Sequence, residues 1–528
     1  MGVDTTGGEA LPVAVLSEDG LHEYARHAAA ALTDLGCVVV RDPEQAVAVL
    51  SWEPNLLDGM AGGTLPACRL RVRASRRHSG APPGQVCLLA ASHEHAAVLR
   101  RRDLPTRLPV RALGVAGTGT SAWRTWAAAT ADEILRRRRL PSLVMLTPVA
   151  PSKAGHESAG EQLVRRILEV QAEGYHLTIV GAEGPGQLRC EQRGLDEPLL
   201  LLPQRHTGGL EWVRRALAFR PVLAPSWLAR IAGLVKAADR IDLQWEEQGF
   251  LIGAFRAINP DATVSSVLHD VVSQRCERRA HAAQRPSRRV VWAARAVAAK
   301  ALEAWICRRA DQVIVLSDKD RDLLPHRRRA EVEVLRPSID GADRGPGRPA
   351  GEPPTVVSVG YLARDENTEG LRWYAEQVWP RVRAALPEVR TLVAGGGAQE
   401  GFAAEMRAAG LTMLGFCDDL EAVYGRADAV IVALHQGAGV KFKTVEALVR
   451  AIPVVSTETG AEGIGHRPTF AAITDDAQAF ATALIAVLRH PEAAWRRARE
   501  GAPAVRAVFG PEAFAAEAAR IYGVARRD

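Results

Sequence analysis

The chain has 528 residues, 47% of them hydrophobic, and a formal net charge of +6. This length allows two or three domains with substantial cores. No apolar run reaches the roughly 18 residues that a membrane-spanning helix needs, and the first ten residues carry neither a basic nor an apolar segment, so no secretory signal is predicted. The seven cysteines are scattered and form no CxxC pair, which is typical of reduced thiols in a cytoplasmic protein and predicts no zinc site.

The first 140 residues have the pattern of a small α/β appendage. Strands are predicted at 11–16, 37–40, 46–52 and 86–90, and a helix at 21–35. The segment 65–85, which contains a cluster of arginines, is expected to be irregular. A succession of strand, Ser-capped helix, basic turn and strand at 86–115 recurs at 313–337. We interpret residues 1–120 either as a reduced copy of a later lobe or as an ordinary α/β appendage.

Residues 141–340 begin a new alternation of strands and helices. Strands are predicted at 142–148, 176–180, 198–202, 241–244, 263–268 and 312–316. Such alternation favours a parallel, doubly wound sheet. The segment 341–354 is predicted to be a linker because prolines and glycines dominate it.

Residues 355–528 are predicted to form a second α/β domain of the same kind. Its strands are expected at 355–359, 390–394, 412–414, 429–433 and 453–456, and its helices at 369–385, 401–409, 420–425, 443–451, 477–488 and 511–524. The chain is therefore predicted to contain two doubly wound lobes in addition to the appendage.

The stretch from Val430 to Leu448 carries the strongest chemical signal. A β-branched strand is followed by a turn with Gly437 and Gly439, and then by two lysines at the start of a helix. A glycine turn at a helix start exposes backbone N–H groups and the positive end of the helix dipole. The pattern suits a diphosphate attached to a hydroxylated ring, with Glu446 for ring hydroxyls. The alternative is a surface turn with solvated lysines.

A basic segment lies between Arg275 and Arg309. It has ten Lys or Arg residues against two acidic ones, and it includes Trp292 and Trp305. Such a helical stretch can lie on anionic lipid; the alternative is a solvated helix whose tryptophans face the core. Nucleic acid is not expected as a partner, because no recognisable binding module surrounds the charges.

Seven ordered motifs resemble the donor lobe of glycosyltransferase family 4. They are Ser358-Val-Gly-Tyr-Leu, Asn367, Trp373, Val393-Ala-Gly-Gly, Gly415-Phe-Cys-Asp-Asp, the stretch from Gly437 to Ala447, and Pro453 to Gly463. The resemblance is strong over 355–465 and weaker back to about 142. It implies the GT-B fold: an acceptor-binding Rossmann-like lobe at 141–340 faces, across a cleft, a nucleotide-sugar donor-binding lobe with a C-terminal helix at 355–528.

The resemblance also implies an activity and a site. The activity is retaining, metal-independent transfer of a sugar from a nucleotide-diphosphate donor to a glycan, lipid-linked or small-molecule acceptor, with no further cofactor. The implied residues are His269, Lys443 and Glu446 for catalysis; Gly360, Arg364, Asn367, Phe416, Asp418, Gly437, Ala438, Gly439, Val440 and Lys441 for the donor; and Gly155, His156, Glu157 and Gly160 in an acceptor-lobe loop. His269 has an alternative as a satisfied histidine at a strand end, and a lipid-linked acceptor would bring the enzyme to the inner face of an anionic membrane.

One departure from the family pattern bears on activity. Many members carry Glu-x7-Glu, whose first carboxylate touches the donor sugar, but this chain has Ala438 eight positions before Glu446. Arg364 also stands where a lysine is often seen. An inactive GT-B protein that binds nucleotide or scaffolds an assembly therefore stays open as an alternative, with a nucleotide-sugar epimerase as a weaker one.

Overall fold

The computed structural model describes residues 12–17, 28–32, 38–40, 48–52, 68–72, 85–90, 110–112, 120–148, 159–183, 199–203, 225–325, 330–343 and 353–525. The chain divides into two compact units. The first contains the described residues up to 203, residues 225–265 and the segment from Tyr522, whereas the second contains residues 266–521. The domain boundaries that the sequence suggests stay predictions.

A six-stranded sheet lies in the N-terminal part of the first unit, in the order β2-β1-β3-β4-β5-β6. Its strands are β1 (Pro12–Ser17), β2 (Val38–Val40), β3 (Ala48–Trp52), β4 (Cys68–Val72), β5 (Gln85–Ala90) and β6 (Val110–Ala112). Strand β4 runs antiparallel to both neighbours. It falls within the segment 65–85 that was expected to be irregular, and that expectation is wrong. The arginines obscured an alternation of apolar and charged residues with the period of a strand.

A seven-stranded sheet follows, in the order β13-β12-β11-β10-β7-β8-β9. Its strands are β7 (Ser142–Thr147), β8 (His176–Glu183), β9 (Leu199–Pro203), β10 (Arg240–Gln244), β11 (Thr263–Leu268), β12 (Gln312–Val315) and β13 (Glu331–Val334). Pairs β7–β8, β7–β10, β8–β9 and β12–β13 are parallel. Strand β7 is buried almost throughout, which explains its apolar run, whereas β10 is equally buried although Arg240, Asp242 and Gln244 alternate with its apolar residues.

Helices connect these strands. They are α1 (Thr120–Arg138), α2 (Ala159–Gly174), α3 (Pro225–Ala237), α4 (Ile252–Ile258), α5 (Val272–Ala282), α6 (Pro286–Arg309) and α7 (Asp318–Leu323), with a 3-10 helix at Glu246–Leu251. The predicted Ser cap of α7 is confirmed, because the Ser317 side chain accepts a hydrogen bond from the Asp320 amide. The corresponding helix predicted after residue 91 lies outside the described residues.

The second unit contains a parallel sheet in the order β16-β15-β14-β17-β18-β19. Its strands are β14 (Thr355–Val359), β15 (Arg390–Ala394), β16 (Thr412–Gly415), β17 (Ala429–Val432), β18 (Val454–Ser456) and β19 (Ala472–Ile473). In chain order this is 3-2-1-4-5-6, the Rossmann order, in which the strand order reverses between the first and fourth strands. The reversal therefore lies between β14 and β17.

The helices of this sheet are α8 (Asp365–Trp373), α9 (Trp379–Ala385), α10 (Glu400–Ala408), α11 (Leu420–Tyr424), α12 (Phe442–Val449), α13 (Glu458–Ala461), α14 (Ala477–Arg489), α15 (Pro491–Phe509) and α16 (Pro511–Tyr522). A π-helical turn at Tyr374–Val378 joins α8 to α9, and a 3-10 turn lies at Arg467–Thr469. In the described part of the chain, no helix has an apolar stretch that could cross a bilayer.

Two features of these helices differ from prediction. Helix α8 begins at Asp365 rather than at residue 369, and its first turn carries Asp365 and Glu366, which the helix dipole favours. Helix α15 was not predicted, because Gly501 and Pro503 interrupt its sequence. A Cβ atom at Gly501 would lie 2.3 Å from the Thr469 hydroxyl, so glycine permits close packing there.

Candidate functional site

The candidate site lies where the strand order reverses in the C-terminal sheet. The carboxyl ends of β14 and β17 are neighbours there, since the two strands pair in parallel. Ligands of doubly wound sheets bind at such points. Gly360 follows β14, and the segment from Ala433 to Lys441 leads from β17 into α12. Most of the predicted donor-binding residues therefore meet at one edge of the sheet.

The glycine turn packs against the end of another strand. Gly437 and Gly439 have φ values of 110° and 69°, in the region that favours glycine. A Cβ atom at Gly439 would lie 3.2 Å from the carbonyl oxygen of His269 and 3.3 Å from Asp270 Cβ. His269, which follows β11, thus belongs to the same neighbourhood as the turn. Val440 is buried beside it.

Cations hold the carbonyl groups of this turn. Arg278 Nη1 of α5 donates to the Gly437 carbonyl oxygen at 2.5 Å. Lys441 Nζ donates to the carbonyl oxygens of Ala438 at 3.0 Å and Gly439 at 2.6 Å. Lys441 is only 9% exposed. Its ammonium group therefore points back at its own turn, which makes it a support for the loop.

Lys443 has a different environment. Its Nζ donates to Asn367 Oδ1 at 2.7 Å, and Asn367 Nδ2 donates to the Tyr361 carbonyl oxygen at 2.8 Å. A Cβ atom at Gly360 would lie 3.1 Å from that Nζ and 3.2 Å from Asn367 Cγ, so glycine leaves room for the pair. Exposed Arg364 precedes the first turn of α8, where Asn367 lies. The predicted phosphate-facing loop is thus a helix N-terminus with a lysine beside it.

Both lysines have perturbed pKa values. Burial lowers the pKa of Lys441 to about 8. Burial also lowers the pKa of Lys443 to about 8, and the charge of Lys441 acts in the same direction. Two ammonium groups held close together and away from water favour an anion as partner.

Glu446 lies one turn further along α12. Its Oε2 accepts a hydrogen bond from the Tyr424 hydroxyl at 2.8 Å. Arg450 stacks over the Tyr424 ring at 4.9 Å and donates to the Glu446 carbonyl oxygen at 2.8 Å. Burial raises the pKa of Glu446. A carboxylate can accept several hydrogen bonds, so a half-buried one oriented by tyrosine suits neighbouring hydroxyls of a ring.

Two exposed aromatic side chains flank the turn after β15. Phe416 is 50% exposed and Tyr361 is 60% exposed. A Cβ atom at Gly396 would lie 3.4 Å from Phe416 Cβ, and one at Gly397 would lie 2.7 Å from the Tyr361 ring. This arrangement can pack against a flat ring. The predicted residue Asp418 is exposed nearby in the chain.

The predicted acceptor-lobe loop is only partly described. Gly155, His156 and Glu157 lie outside the described residues, and Gly160 lies in the first turn of α2 in the first unit.

Sequence reasoning missed two distant partners of the predicted residues, Arg278 and Tyr424. Tyr424 is 22 positions from Glu446, and Arg278 is 159 positions from Gly437. No local pattern connects residues so far apart. Glu462, which pairs with Arg278, and Tyr361 fall inside quoted motifs, and Arg450 lies four positions after Glu446, so the sequence offered a local signal for these three.

Comparison with known sequences finds relatives of the C-terminal domain. Residues 353–490 match the family described as glycosyl transferases group 1. An uncharacterized 44.6 kDa protein in the cps region of Klebsiella pneumoniae is 33% identical over 119 residues, which are 21% of this chain and 30% of that protein. Glycogen synthase of Mycobacterium tuberculosis is 28% identical over 243 residues, 43% of this chain and 57% of that protein. The matches span less than two thirds of either relative.

Comparison with solved structures concerns the fold. Sucrose-phosphate synthase from Thermosynechococcus elongatus aligns with a TM-score of 0.52 at 17% identity, over 72% of this chain and 98% of that one. HepE from Anabaena, solved with UDP and glucose, aligns with a TM-score of 0.52 at 14% identity, over 72% and 99%. The GT-B fold that the sequence predicted is confirmed. Residues 353–490 therefore match glycosyl transferases group 1, on a chain with the GT-B fold.

Proposed function

We propose that the protein is a retaining glycosyltransferase that moves a sugar from a nucleotide-diphosphate donor to a glycan, lipid-linked or small-molecule acceptor. The observation that carries this proposal is the Lys443–Asn367 pair, seated over Gly360 beside the glycine turn. It lies in the domain that matches glycosyl transferases group 1. HepE was solved with UDP-glucose, which makes UDP-glucose the first donor to test.

The chemistry explains why cations and amides are needed there. The bond that breaks joins the anomeric carbon to a phosphate oxygen, and its electron pair leaves with the diphosphate. Fixed cations and N–H groups lower the barrier because they bind that developing charge more strongly in the transition state. The acceptor oxygen bonds to the same face of the sugar and passes its proton to the departing phosphate, so no strong side-chain base is required.

In this proposal each side chain of the site has one role. Lys443 binds the diphosphate, while Lys441 shapes the turn that contacts it. Glu446 accepts hydrogen bonds from ribose hydroxyls, since Tyr424 fixes its orientation. Phe416 packs along the base, and His269 contacts the transferred sugar near the reacting carbon.

Donor hydrolysis and transfer test the proposal. Purified protein is incubated with UDP-, ADP- and GDP-glucose, and the released sugar is followed by NMR. A retaining enzyme releases the α-anomer first, before mutarotation. Release of the β-anomer first would contradict the retaining mechanism.

A catalytically inactive, nucleotide-binding protein is the second candidate. Ala438 occupies the position of the missing carboxylate, and Lys441 is engaged within its own turn. Such a protein would bind a nucleotide diphosphate but release no sugar from any donor. A thermal-shift screen of the same nucleotides, run beside the turnover assay, separates the two candidates because a ligand of the folded state raises its stability.

Helix α6 supports an anionic membrane surface as a further partner. Val290, Val291 and Val297 are 68%, 52% and 69% exposed, and Val290 and Val297 lie two turns apart on one face. Arg288 and Arg289 are exposed beside them. An exposed apolar stripe flanked by cations complements anionic headgroups over an acyl boundary.

The tryptophans of this segment contribute less to that surface than the sequence suggested. The guanidinium groups of Arg279 and Arg295 each lie 4.9 Å from the Trp292 ring, and Trp292 packs against residues of α5. Arg309 lies over Trp305 at 4.6 Å. The valines, rather than the tryptophans, form the exposed apolar stripe.

Co-sedimentation with phosphatidylglycerol-containing vesicles tests this contact. We expect binding at low salt and release at high salt, because each Lys or Arg near the surface contributes on the order of 1 kcal/mol that salt screens. The variants R288E/R289E and V290S/V297S should both weaken binding, whereas R407E on α10 serves as the matched control. Wild-type protein that stays in the supernatant at low salt would show that α6 is only a solvated face.

A further inference from the structure

The glycine turn between β17 and α12 is held in part by Arg278, whose contact the catalytic proposal does not use. Three successive carbonyl groups, those of Gly437, Ala438 and Gly439, accept hydrogen bonds from Arg278 and Lys441. Arg278 reaches the turn from α5, a helix 159 positions earlier in the chain. The turn is therefore tied to a separate helix as well as to its own lysine.

Arg278 is itself oriented by a carboxylate. Its Nη1 and Nη2 donate to Glu462 Oε2 and Oε1 at 2.7 and 2.6 Å, a bidentate pair. Lys319 Nζ lies 3.4 Å from Glu462 Oε1 and donates to Gln274 on α5 at 2.8 Å. Burial alone would raise the pKa of Glu462, but the hydrogen bond from Arg278 and the nearby cations leave its pKa below the ordinary value.

The carbonyl contacts determine where the amides point. In a trans peptide unit the C=O and N–H groups point in opposite directions, and the structure contains no cis peptide bond in the described residues. The N–H group of Ala438 therefore points away from Arg278, and the N–H groups of Gly439 and Val440 point away from Lys441. Successive backbone N–H groups of a turn can form an anion-binding concavity.

We propose that Arg278 and Glu462 are positioning residues, which hold the turn so that the amides of residues 438–440 face the donor diphosphate. This inference rests on the proposed function. Because Ala438 cannot offer the carboxylate of the family pattern, the backbone of the turn carries more of the donor contact, and its shape depends on the Arg278–Glu462 pair. Arg278 and Glu462 act through the turn and do not contact the substrate.

Isothermal titration of UDP, ADP and GDP, each compared with its nucleoside, tests the proposal. The variants are R278A, E462A, the double variant and R278K, and R407A provides a matched loss of an exposed arginine that pairs with Glu400. For the best-bound nucleotide, we expect R278A to weaken diphosphate affinity about 10- to 100-fold, as the loss of a charged hydrogen bond implies. Nucleoside affinity and the melting temperature should change little, and R278K should recover part of the loss.

The double variant supplies the decisive comparison. Residues that act through one turn should give a double variant about as weak as either single variant, because their effects are not additive. Additive losses, or an R278A variant that binds the diphosphate like wild type, would overturn the positioning role while leaving the proposed function intact. Wild-type protein that binds no nucleotide diphosphate and releases no sugar would overturn both. A loss of nucleoside affinity equal to that of the diphosphate would show a merely structural role.

Discussion

Two cationic regions that look similar in the sequence have different environments in the structure. The lysines after the glycine turn, Lys441 and Lys443, are buried or half-buried, and both donate to oxygen acceptors. Helix α6 instead exposes Arg288 and Arg289 to solvent beside three exposed valines. Burial, rather than charge count, distinguishes the candidate site from the exposed face of α6.

Among the changes considered, replacing Lys443 should cause the largest loss of activity. We expect K443A to lower kcat/KM about 10- to 150-fold, the equivalent of roughly 1.5–3 kcal/mol, because a charged hydrogen bond to the leaving diphosphate is lost. Initial-rate kinetics with UDP-glucose measure it. Exposed Lys236 on α3 provides the control, since K236A removes the same charge far along the chain. Equal kinetics for K443A and K236A, with both folded, would show that burial does not distinguish the lysines.

Replacing Glu446 should show whether the site distinguishes the ribose from the phosphates. We expect E446Q to weaken UDP about tenfold, the cost of one hydrogen bond to a charged group, roughly 1.4 kcal/mol. Pyrophosphate should bind as before, because the proposed contact is to ribose. Competition titrations measure both ligands, and E400Q on the exposed face of α10 is the control. Equal losses of affinity for UDP and pyrophosphate would show that Glu446 does not contact the ribose.

The lowered pKa values of the two lysines predict a pH dependence with a definite sign. Their pKa values near 8 mean that the empty site loses positive charge above about pH 8. Affinity for UDP should therefore fall as pH rises from 8 towards 9, and binding in that range should take up protons. Titrations in buffers of different ionisation enthalpy measure the uptake.

The same shifts act on stability in the opposite direction. Unfolded lysines bind more protons than these folded ones between about pH 8 and 10.5, so this contribution makes the ligand-free protein more stable as pH rises through that window. Denaturant titrations of wild type and K443M isolate the contribution, which should be smaller in the variant. If affinity for UDP and stability of the ligand-free protein both fell as the pH rises, the cause would be alkaline unfolding instead.

Removing divalent metal should have the smallest effect. Lysines and amides are proposed to meet the phosphates, so we expect turnover to change less than about twofold after chelation. The assay compares dialysed protein with and without EDTA, followed by magnesium or manganese. Activity that vanishes on chelation and returns with metal would show that the lysines do not suffice to bind the donor phosphates.

The sequence alone predicted much of the C-terminal domain. Strands β14 and β15 lie where their β-branched runs predicted, and β17 to α12 follow the predicted order of strand, glycine turn and helix. These features depend on local periodicity and on glycine at positions of positive φ, both of which are written in neighbouring residues. Helix α15 and strand β4 escaped prediction because breakers and arginines masked their periods.

The roles of individual site residues depended on contacts across the chain. The sequence determined that Lys441, Lys443 and Glu446 follow a glycine turn. Only the tertiary structure decided that Lys443 meets Asn367, 76 positions away, whereas Lys441 binds its own turn. Long-range packing sets which side chain is desolvated and which atoms it meets, and no local pattern contains that information.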